Sequence, residues 1–250
     1  MNERFDDSVD VAEAILGCGR PLLIASDVDG TLSPIAARPG QARLAPEALS
    51  SLLALAGRAD IEVAVVSGRS LDELVQQFGF PPTLHLVGSH GAEIDHGEPL
   101  DGAEQAVMDD VVAGLTVIAG ELTDARLEHK PYAVALHVRG ATPDAASRAL
   151  AAARERFAGD ARVHVHEGHQ VYELAVRHTT KGTALATLRE RLRPTAVVFF
   201  GDDRSDETAF TQLGIDDVGV KIGPGPTAAR WRLGTPADVV DVLERLTRQT

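Results

Sequence analysis

Apolar and polar positions along the chain follow two rhythms. In the first, short apolar runs alternate with helical stripes. Pro21-Leu22-Leu23-Ile24-Ala25, Ile61-Glu62-Val63-Ala64-Val65-Val66, Leu84-His85-Leu86-Val87 and Ala196-Val197-Val198-Phe199-Phe200 have no helical spacing. Runs of this kind read as buried parallel strands. Ser8 is placed to cap a first helix with Val9, Ala12, Ile15 and Leu16 on one face, stopped by Gly17. Pro46 opens a second, with Leu49, Leu52, Leu53 and Ala56 as its stripe, and a Ser70–Glu73 capping box opens a third. Lys181-Gly182 starts another, carrying Leu185, Leu188 and Leu192. A short strand at Val218-Gly219-Val220 and a last helix over about 237–247 complete the series. This alternation predicts an α/β core of the doubly wound, Rossmann-like kind, with a parallel sheet.

The second rhythm runs from about residue 101 to 178. A helix over roughly 103–122 precedes strands at 126–130 and 133–139. A helix over roughly 144–157 then precedes strands at 162–166 and 171–176. Period two places Val134, Leu136, Val138, Val163, Val165, Tyr172, Leu174 and Val176 on apolar faces. Arg126, Glu128, Lys130, His137, Arg139 and Glu173 fall on the opposite faces. The expectation is an inserted α-β-β-α-β-β domain at 101–178, with an open polar sheet face, inside a core formed by 1–100 and 179–250.

Composition narrows the partners. The 250 residues are 44% hydrophobic and 24% charged, ordinary values for a globular chain. The net charge of −13 argues against nucleic acid or an anionic membrane surface as partner, because both reward basic proteins. A phosphate ester stays open as substrate, since local cations can outweigh the global field. Cys18 is the only cysteine, so no intramolecular disulfide forms. The acidic start lacks a signal-peptide pattern, and the stretch 111–119 is too short to span a bilayer. A soluble, cytoplasmic protein is expected.

What the strands end in suggests chemistry. The first apolar run ends in Asp27 and Asp29, followed by Gly30 and Thr31; the second ends in Ser67; the fourth ends in Asp202 and Asp203. Lys181 sits at a helix start, and Asp206 and Glu207 follow one turn after Asp202. Strand ends of an open α/β sheet are where ligands bind. Several carboxylates with one ammonium and one hydroxyl there suit Mg2+, which takes a few carboxylate oxygens plus phosphate and water. His164, His166 and His169 read as polar surface, because no cysteine or third spaced cluster backs a zinc site. Asp203 and Glu207 are as well explained by a helix N-terminus as by chemistry.

Asp27-Val28-Asp29-Gly30-Thr31, Ser67, Lys181 and Gly201-Asp202-Asp203-Arg204-Ser205-Asp206 resemble the ordered motifs of haloacid-dehalogenase-type phosphatases. The resemblance implies that Asp27 is a nucleophile and Asp29 a general acid/base. It implies that Ser67 and Lys181 bind phosphate and that the late aspartates serve Mg2+. The chemistry supports these roles. Phosphoryl transfer needs an in-line nucleophile and neutralised oxygens. Asp27 can attack phosphorus, and Asp29 can protonate the leaving oxygen and then activate water. The backbone carbonyl of Asp29 is a further candidate ligand. Thr31, Ser67 and Lys181 can hold the non-bridging oxygens. Asp202 is the expected direct metal ligand, with Asp206 as second ligand or support.

The insertion, lying between Ser67 and Lys181, resembles a C2-type cap, which closes over the active site and selects the leaving group. With its flanks it resembles the trehalose-6-phosphate phosphatases. The matching stretches are Ser67-Gly68-Arg69-Ser70-Leu71, Gly88-Ser89-His90-Gly91-Ala92-Glu93, Arg126-Leu127-Glu128-His129-Lys130, His137-Val138-Arg139 and Gly168-His169-Gln170-Val171-Tyr172-Glu173. Late in the chain they are Gly201-Asp202-Asp203-Arg204-Ser205-Asp206-Glu207 and Thr227-Ala228-Ala229. The resemblance implies phosphate contact at Gly68 and substrate contact at Arg69, His90, Arg126, Glu128, Lys130, His137 and Glu173. Glu128, Lys130 and Glu173 would take the sugar hydroxyls. His169 stands where family members often carry Lys, and Ser205 where they often carry Thr. The expected reaction is Mg2+-dependent hydrolysis of trehalose 6-phosphate to trehalose and phosphate, the last step of trehalose biosynthesis, through an aspartyl-phosphate. A trehalose-6-phosphate synthase is a candidate protein partner. Segments near 97–99 and 177–179 are the expected hinges of the cap. Sucrose 6-phosphate or mannosyl-3-phosphoglycerate as substrate, and a non-catalytic sugar-phosphate sensor, remain open.

Overall fold

The first strand is built as its composition demands. In a computed structural model of the chain, which describes residues 4–36, 39–95, 99–122, 124–168 and 170–249, β1 (Leu22–Ser26) is buried at every position. It lies between parallel neighbours on both sides, and apolar clusters bury both of its faces. Before it comes α1 (Ser8–Leu16). After it come α2 (Pro46–Ala56), β2 (Ile61–Val66), α3 (Leu71–Phe78), β3 (His85–Gly88) and β4 (Glu93–Ile94). Asp7, one residue earlier than expected, caps α1, its carboxylate accepting from the Val9 N–H at 2.8 Å. Ser8 is thereby the first helical residue, and its hydroxyl donates to Asp241. The Ser70–Glu73 capping box on α3 forms as predicted.

The next elements are α4 (Gly102–Gly120), β5 (Arg126–Lys130), β6 (Ala133–His137), α5 (Pro143–Arg156), β7 (His164–Gly168) and β8 (Val171–Ala175). They form a four-stranded antiparallel sheet in the order β5-β6-β8-β7. One face, carrying Val134, Leu136, Tyr172 and Leu174, packs with residues of α4 and α5 such as Val111, Leu115, Ala149 and Ala153 into a separate core. The last pair of strands differs from expectation in two ways. β7 begins two residues late, because the Asp160 carboxylate accepts from the Arg162 N–H and guanidinium and holds 160–162 outside the sheet. Val165 is 44% exposed: β7 is the edge strand, so the residue lies beyond the apolar cluster although it pairs with buried Leu174.

The chain then returns through α6 (Lys181–Leu192), β9 (Ala196–Gly201), α7 (Glu207–Phe210), β10 (Val218–Ile222), β11 (Trp231–Leu233) and α8 (Pro236–Arg248). With the first half these make a seven-stranded sheet, order β11-β10-β9-β1-β2-β3-β4, parallel except for β4. Apolar clusters cover both of its faces. The very short edge strands β4 and β11 carry too little pattern to be foreseen. The chain divides into two compact units, Met1–Gly97 with Thr179–Thr250 and Glu98–His178. Among the described residues no helix is long and apolar enough to cross a membrane.

The order of the sheet positions the chemistry. β1 pairs with β2 on one side and β9 on the other, from opposite halves of the chain, so the sheet reverses direction of growth at β1. Crevices beyond the carboxyl ends of strands form at such a reversal. Ser26 lies level with Phe200, and the Asp27 N–H donates to the Phe200 carbonyl at 2.9 Å. Asp27 is therefore level with Gly201, and Asp202 follows one residue on.

Candidate active site

Three carboxylates meet there. Asp27, Asp202 and Asp206 each offer an oxygen, all within 4.8 Å of one another. Lys181, the first residue of α6 and 3% exposed, reaches Asp27 Oδ1 at 2.8 Å and Asp206 Oδ1 at 2.7 Å. Asp206 is fully buried, and its other oxygen accepts from the Asp202 and Asp203 N–H groups, both at 3.0 Å. That carboxylate thus closes the loop after β9 while balancing the lysine.

Gly30 lets the loop after β1 approach this cluster. Its φ of +88° is left-handed, and a Cβ there would lie 2.1 Å from Asp202 Oδ2.

The electrostatics are those of a site short of positive charge. Burial pushes the Asp27 carboxyl well above the usual range, with Lys181 opposing and Asp206 reinforcing the shift. Asp202 is pushed up to about 6 by burial and then by the charges of Asp206 and Asp203. Burial also raises Asp206, against the pull of Lys181. For Lys181 burial alone would lower the ammonium, but Asp27 and Asp206 outweigh it and hold it charged. Two buried atoms here, Asp202 Oδ1 and Thr31 Oγ1, have no hydrogen-bond partner. Orphaned oxygen donors beside crowded carboxylates fit a hard divalent cation and the oxyanion that would accompany it.

Asp29 is turned elsewhere. Its carboxylate accepts from Arg69 Nε at 2.5 Å and Nη2 at 2.8 Å, a bidentate pair. Arg69 is 9% exposed, stacks over Phe78 at 5.0 Å and donates to Gln77 at 3.1 Å. This arginine, expected at the substrate, pairs here with the candidate general acid. The Asp29 side chain lies outside the carboxylate cluster, which leaves its backbone carbonyl as the expected metal contact.

Ser67 follows β2 directly, is 1% exposed, and takes the Arg69 N–H on its hydroxyl at 3.2 Å. Its carbonyl accepts from the His90 N–H at 3.0 Å. The His90 ring then lies over Gly68, where a Cβ would sit 2.5 Å from Cε1. Ser67, Gly68 and His90 are thus brought into one turn beyond β2 and β3.

The neighbouring acids act on the backbone. Asp203 accepts from the Ser205 N–H at 2.7 Å and hydroxyl at 2.6 Å, and Glu207 accepts from the Ala228 N–H at 2.8 Å. The second contact ties the Thr227-Ala228-Ala229 stretch to α7. Lys221, which the sequence reading passed over, is 4% exposed in β10, and its ammonium donates to the Asp202 carbonyl. The available signal was a lysine inside the apolar run Val218-Gly219-Val220-Lys221-Ile222.

The inserted unit carries the other expected residues on the face of its sheet opposite the apolar cluster. Register places Glu128, Ala135, Glu173 and His166 in one row across the strands, and Lys130, Ala133, Ala175 and His164 in the next. Arg126 and His137 begin a third row. Lys130 Nζ donates to Glu173 at 2.6 Å, reaching past the small side chains of β6. Glu128 lies 2.6 Å from His137 and 3.8 Å from Arg126. The His164 and His178 rings contact at a centroid distance of 4.4 Å. Arg177, expected in a hinge, bonds both oxygens of Glu104 at 2.8 Å and stacks over Tyr132 at 4.2 Å. It is therefore fastened within this unit. His169 and the first hinge at residues 97 and 98 lie outside the described residues.

Known proteins resemble the chain along most of its length. A trehalose-phosphate phosphatase of Mycobacterium tuberculosis is 35% identical over 240 residues, covering 89% of this chain and 60% of that protein. Escherichia coli trehalose-6-phosphate phosphatase is 34% identical over 230 residues, covering 88% of this chain and 85% of that protein. The chain spans only 18% to 60% of the length of the mycobacterial relatives it matches. The solved structure of Aspergillus fumigatus trehalose-6-phosphate phosphatase superimposes with a TM-score of 0.72 at 25% identity, over the full length of both chains. The trehalose-phosphatase family model matches residues 25–232, a span that contains Asp27, Lys181, Asp202, Asp206 and the whole inserted unit, and the chain belongs to the trehalose-phosphatase family.

Proposed function

We propose that the protein hydrolyses trehalose 6-phosphate to trehalose and phosphate, using Mg2+. The observation that carries this reading is the buried group of Asp27, Lys181, Asp202 and Asp206 where β1 and β9 end side by side. Asp27 Oδ attacks phosphorus in line with the ester oxygen: an aspartyl-phosphate bond forms, the P–O bond to the sugar breaks, and Asp29 gives its proton to the departing sugar oxygen. Asp29 then takes a proton from water, whose oxygen attacks phosphorus and returns Asp27 as a carboxylate. Arg69 holds Asp29 between turnovers, and one Asp29 oxygen leaves that pair for both transfers. Thr31, Ser67, the Gly68 backbone and Lys181 hold the phosphoryl oxygens. Asp27, Asp202, the Asp29 carbonyl and Asp206, directly or as support, would hold the Mg2+, whose charge neutralises the phosphoryl group and keeps Asp27 ionised.

Glu128, Lys130 and Glu173 take sugar hydroxyls, with Arg126, His137 and His90 as further contacts. Carboxylates and amines each bond several hydroxyls, and those on the inserted unit already share one face. In this reading the enzyme works in the cytoplasm and consumes the product of a trehalose-6-phosphate synthase, which is its candidate partner. The family membership and the names of the relatives support the sugar.

The test is phosphate release with Mg2+ from trehalose 6-phosphate, glucose 6-phosphate, sucrose 6-phosphate and mannosyl-3-phosphoglycerate. A strong preference for the first, abolished by chelator, is expected. Equal, slow turnover of all four would remove the sugar assignment and leave a phosphatase. No release from any ester would favour a sugar-phosphate sensor.

A further inference from the structure

Lys221 is a charged side chain in a place where charge is expensive. Every residue of β10 is buried, and the lysine is the only ionisable one among them. Among the described residues no carboxylate oxygen lies within ion-pair distance of its ammonium, and its hydrogen bond goes to a backbone carbonyl, that of Asp202. An ammonium buried without a matched carboxylate persists where its charge serves something nearby. Register puts Lys221 level with Gly201, at the point where β9 gives way to the Asp202 loop.

The peptide unit between Asp202 and Asp203 shows what it serves. Its carbonyl accepts from Lys221, and its N–H, that of Asp203, donates to Asp206 Oδ2 at 3.0 Å. One peptide dipole is thus held at its negative end by an ammonium and at its positive end by a carboxylate. The preceding peptide is pinned as well, since the Asp202 N–H also donates to Asp206 at 3.0 Å. The Asp202 side chain itself carries the orphaned buried Oδ1. Its direction is therefore set by the neighbouring Asp27 carboxyl and by the backbone that these two charges grip.

We propose that Lys221 is a positioning residue for the cation site: with Asp206 it clamps the Asp202–Asp203 peptide and so presents the Asp202 carboxylate to a divalent metal. This rests on the divalent-cation reading given above. Lys181 pairs with carboxylates of the cluster, whereas Lys221 bonds the backbone of the loop that carries Asp202.

The experiment is Mg2+ titration by calorimetry on the parent chain, Lys221→Met and Lys221→Arg, with thermal melting of each metal-free protein. Lys221→Met is expected to weaken Mg2+ binding about 10-fold or more, the usual range for loss of support behind a metal ligand. Its metal-free melting temperature should stay level or rise, because a buried charge has been replaced by an apolar chain of similar length. Lys221→Arg, which keeps a cationic donor, should recover most of the affinity, and saturating Mg2+ should return the turnover of Lys221→Met toward the parent value. Unchanged affinity in Lys221→Met overturns the proposal. So does a loss of affinity that only follows a fall in melting temperature across the variants, since the lysine is then merely structural. Should Lys221→Met fail to fold, Lys221→Gln, with a shorter neutral donor, must show the same direction of loss. Absence of Mg2+ binding by the parent overturns the cation reading itself, a result distinct from an unchanged variant.

Discussion

Asp27 and Lys181 depend on each other, and that dependence is measurable. Both are almost fully buried, and the lysine is also the only cation at ion-pair distance from Asp206 among the described residues. Removing one partner of a buried pair leaves an uncompensated charge, which costs about 3 to 5 kcal/mol. Lys181→Met should therefore lower the urea unfolding free energy of the metal-free protein by about that much, and an unchanged midpoint would contradict the charge balance described here. Asp27→Asn removes the nucleophile while keeping shape, so turnover should fall by about 10,000-fold or more while the fold persists by circular dichroism. These residues are legible in the sequence because each ends an apolar strand or opens a helix, where a charge has few structural reasons to be. The engagement of Arg69 with Asp29 is not legible, since it joins residues from different strand ends. Lys221 escapes notice for a related reason: in an apolar strand it counts as a break in the pattern, and its purpose shows only once β9 lies beside it.

Elements with strong local signals were readable, and those without were not. α3 is announced by Ser70 and Glu73, whose capping box forms with the Glu73 N–H on the Ser70 hydroxyl at 3.3 Å. β4 and β11 are edge pieces created by neighbours, and the start of β7 is set by the Asp160–Arg162 contact instead of by its own alternation. The α4 start also carries a pH-dependent contribution. The guanidinium of Arg177, then the Asp101 N–H, hold the Glu104 carboxyl down at about 2, against an ordinary 4.5. A carboxyl whose folded value is depressed stabilises the fold above its unfolded value and loses that contribution as pH falls toward the folded value. Glu104→Gln should thus lower stability at neutral pH by about 0.3 to 1 kcal/mol, the scale of a solvent-screened pair. The gap between parent and variant should close between about pH 4.5 and 2. Urea midpoints across that range check it, and a gap that stays constant would remove the ion pair from the account.

At the scale of the whole molecule, the buried carboxylate cluster and the sheet face proposed to bind the sugar occupy different stretches of chain with different cores. The change of rhythm near residues 101 and 178 was visible because period-two strands with one polar face replace strands that are apolar throughout. That contrast has a physical origin: the parallel sheet is covered on both faces, while the inserted sheet packs its own helices α4 and α5 on one face. A core defect in the inserted unit should accordingly stay local. Leu136 is fully buried in the cluster with Leu115, Tyr172 and Leu174, so Leu136→Ala should destabilise by about 2 to 5 kcal/mol. Amide hydrogen exchange should then accelerate within 98–178 while β1 and β9 keep their protection. The same variant should release phosphate from a small aryl phosphate, which needs only the Asp27 cluster, much as the parent does. Its turnover of trehalose 6-phosphate should fall, because the hydroxyl-binding face is frayed. If exchange in β1 and β9 rose equally, or if both activities fell together, the two units would share one folding equilibrium, and the division between chemistry and selection would have to be abandoned.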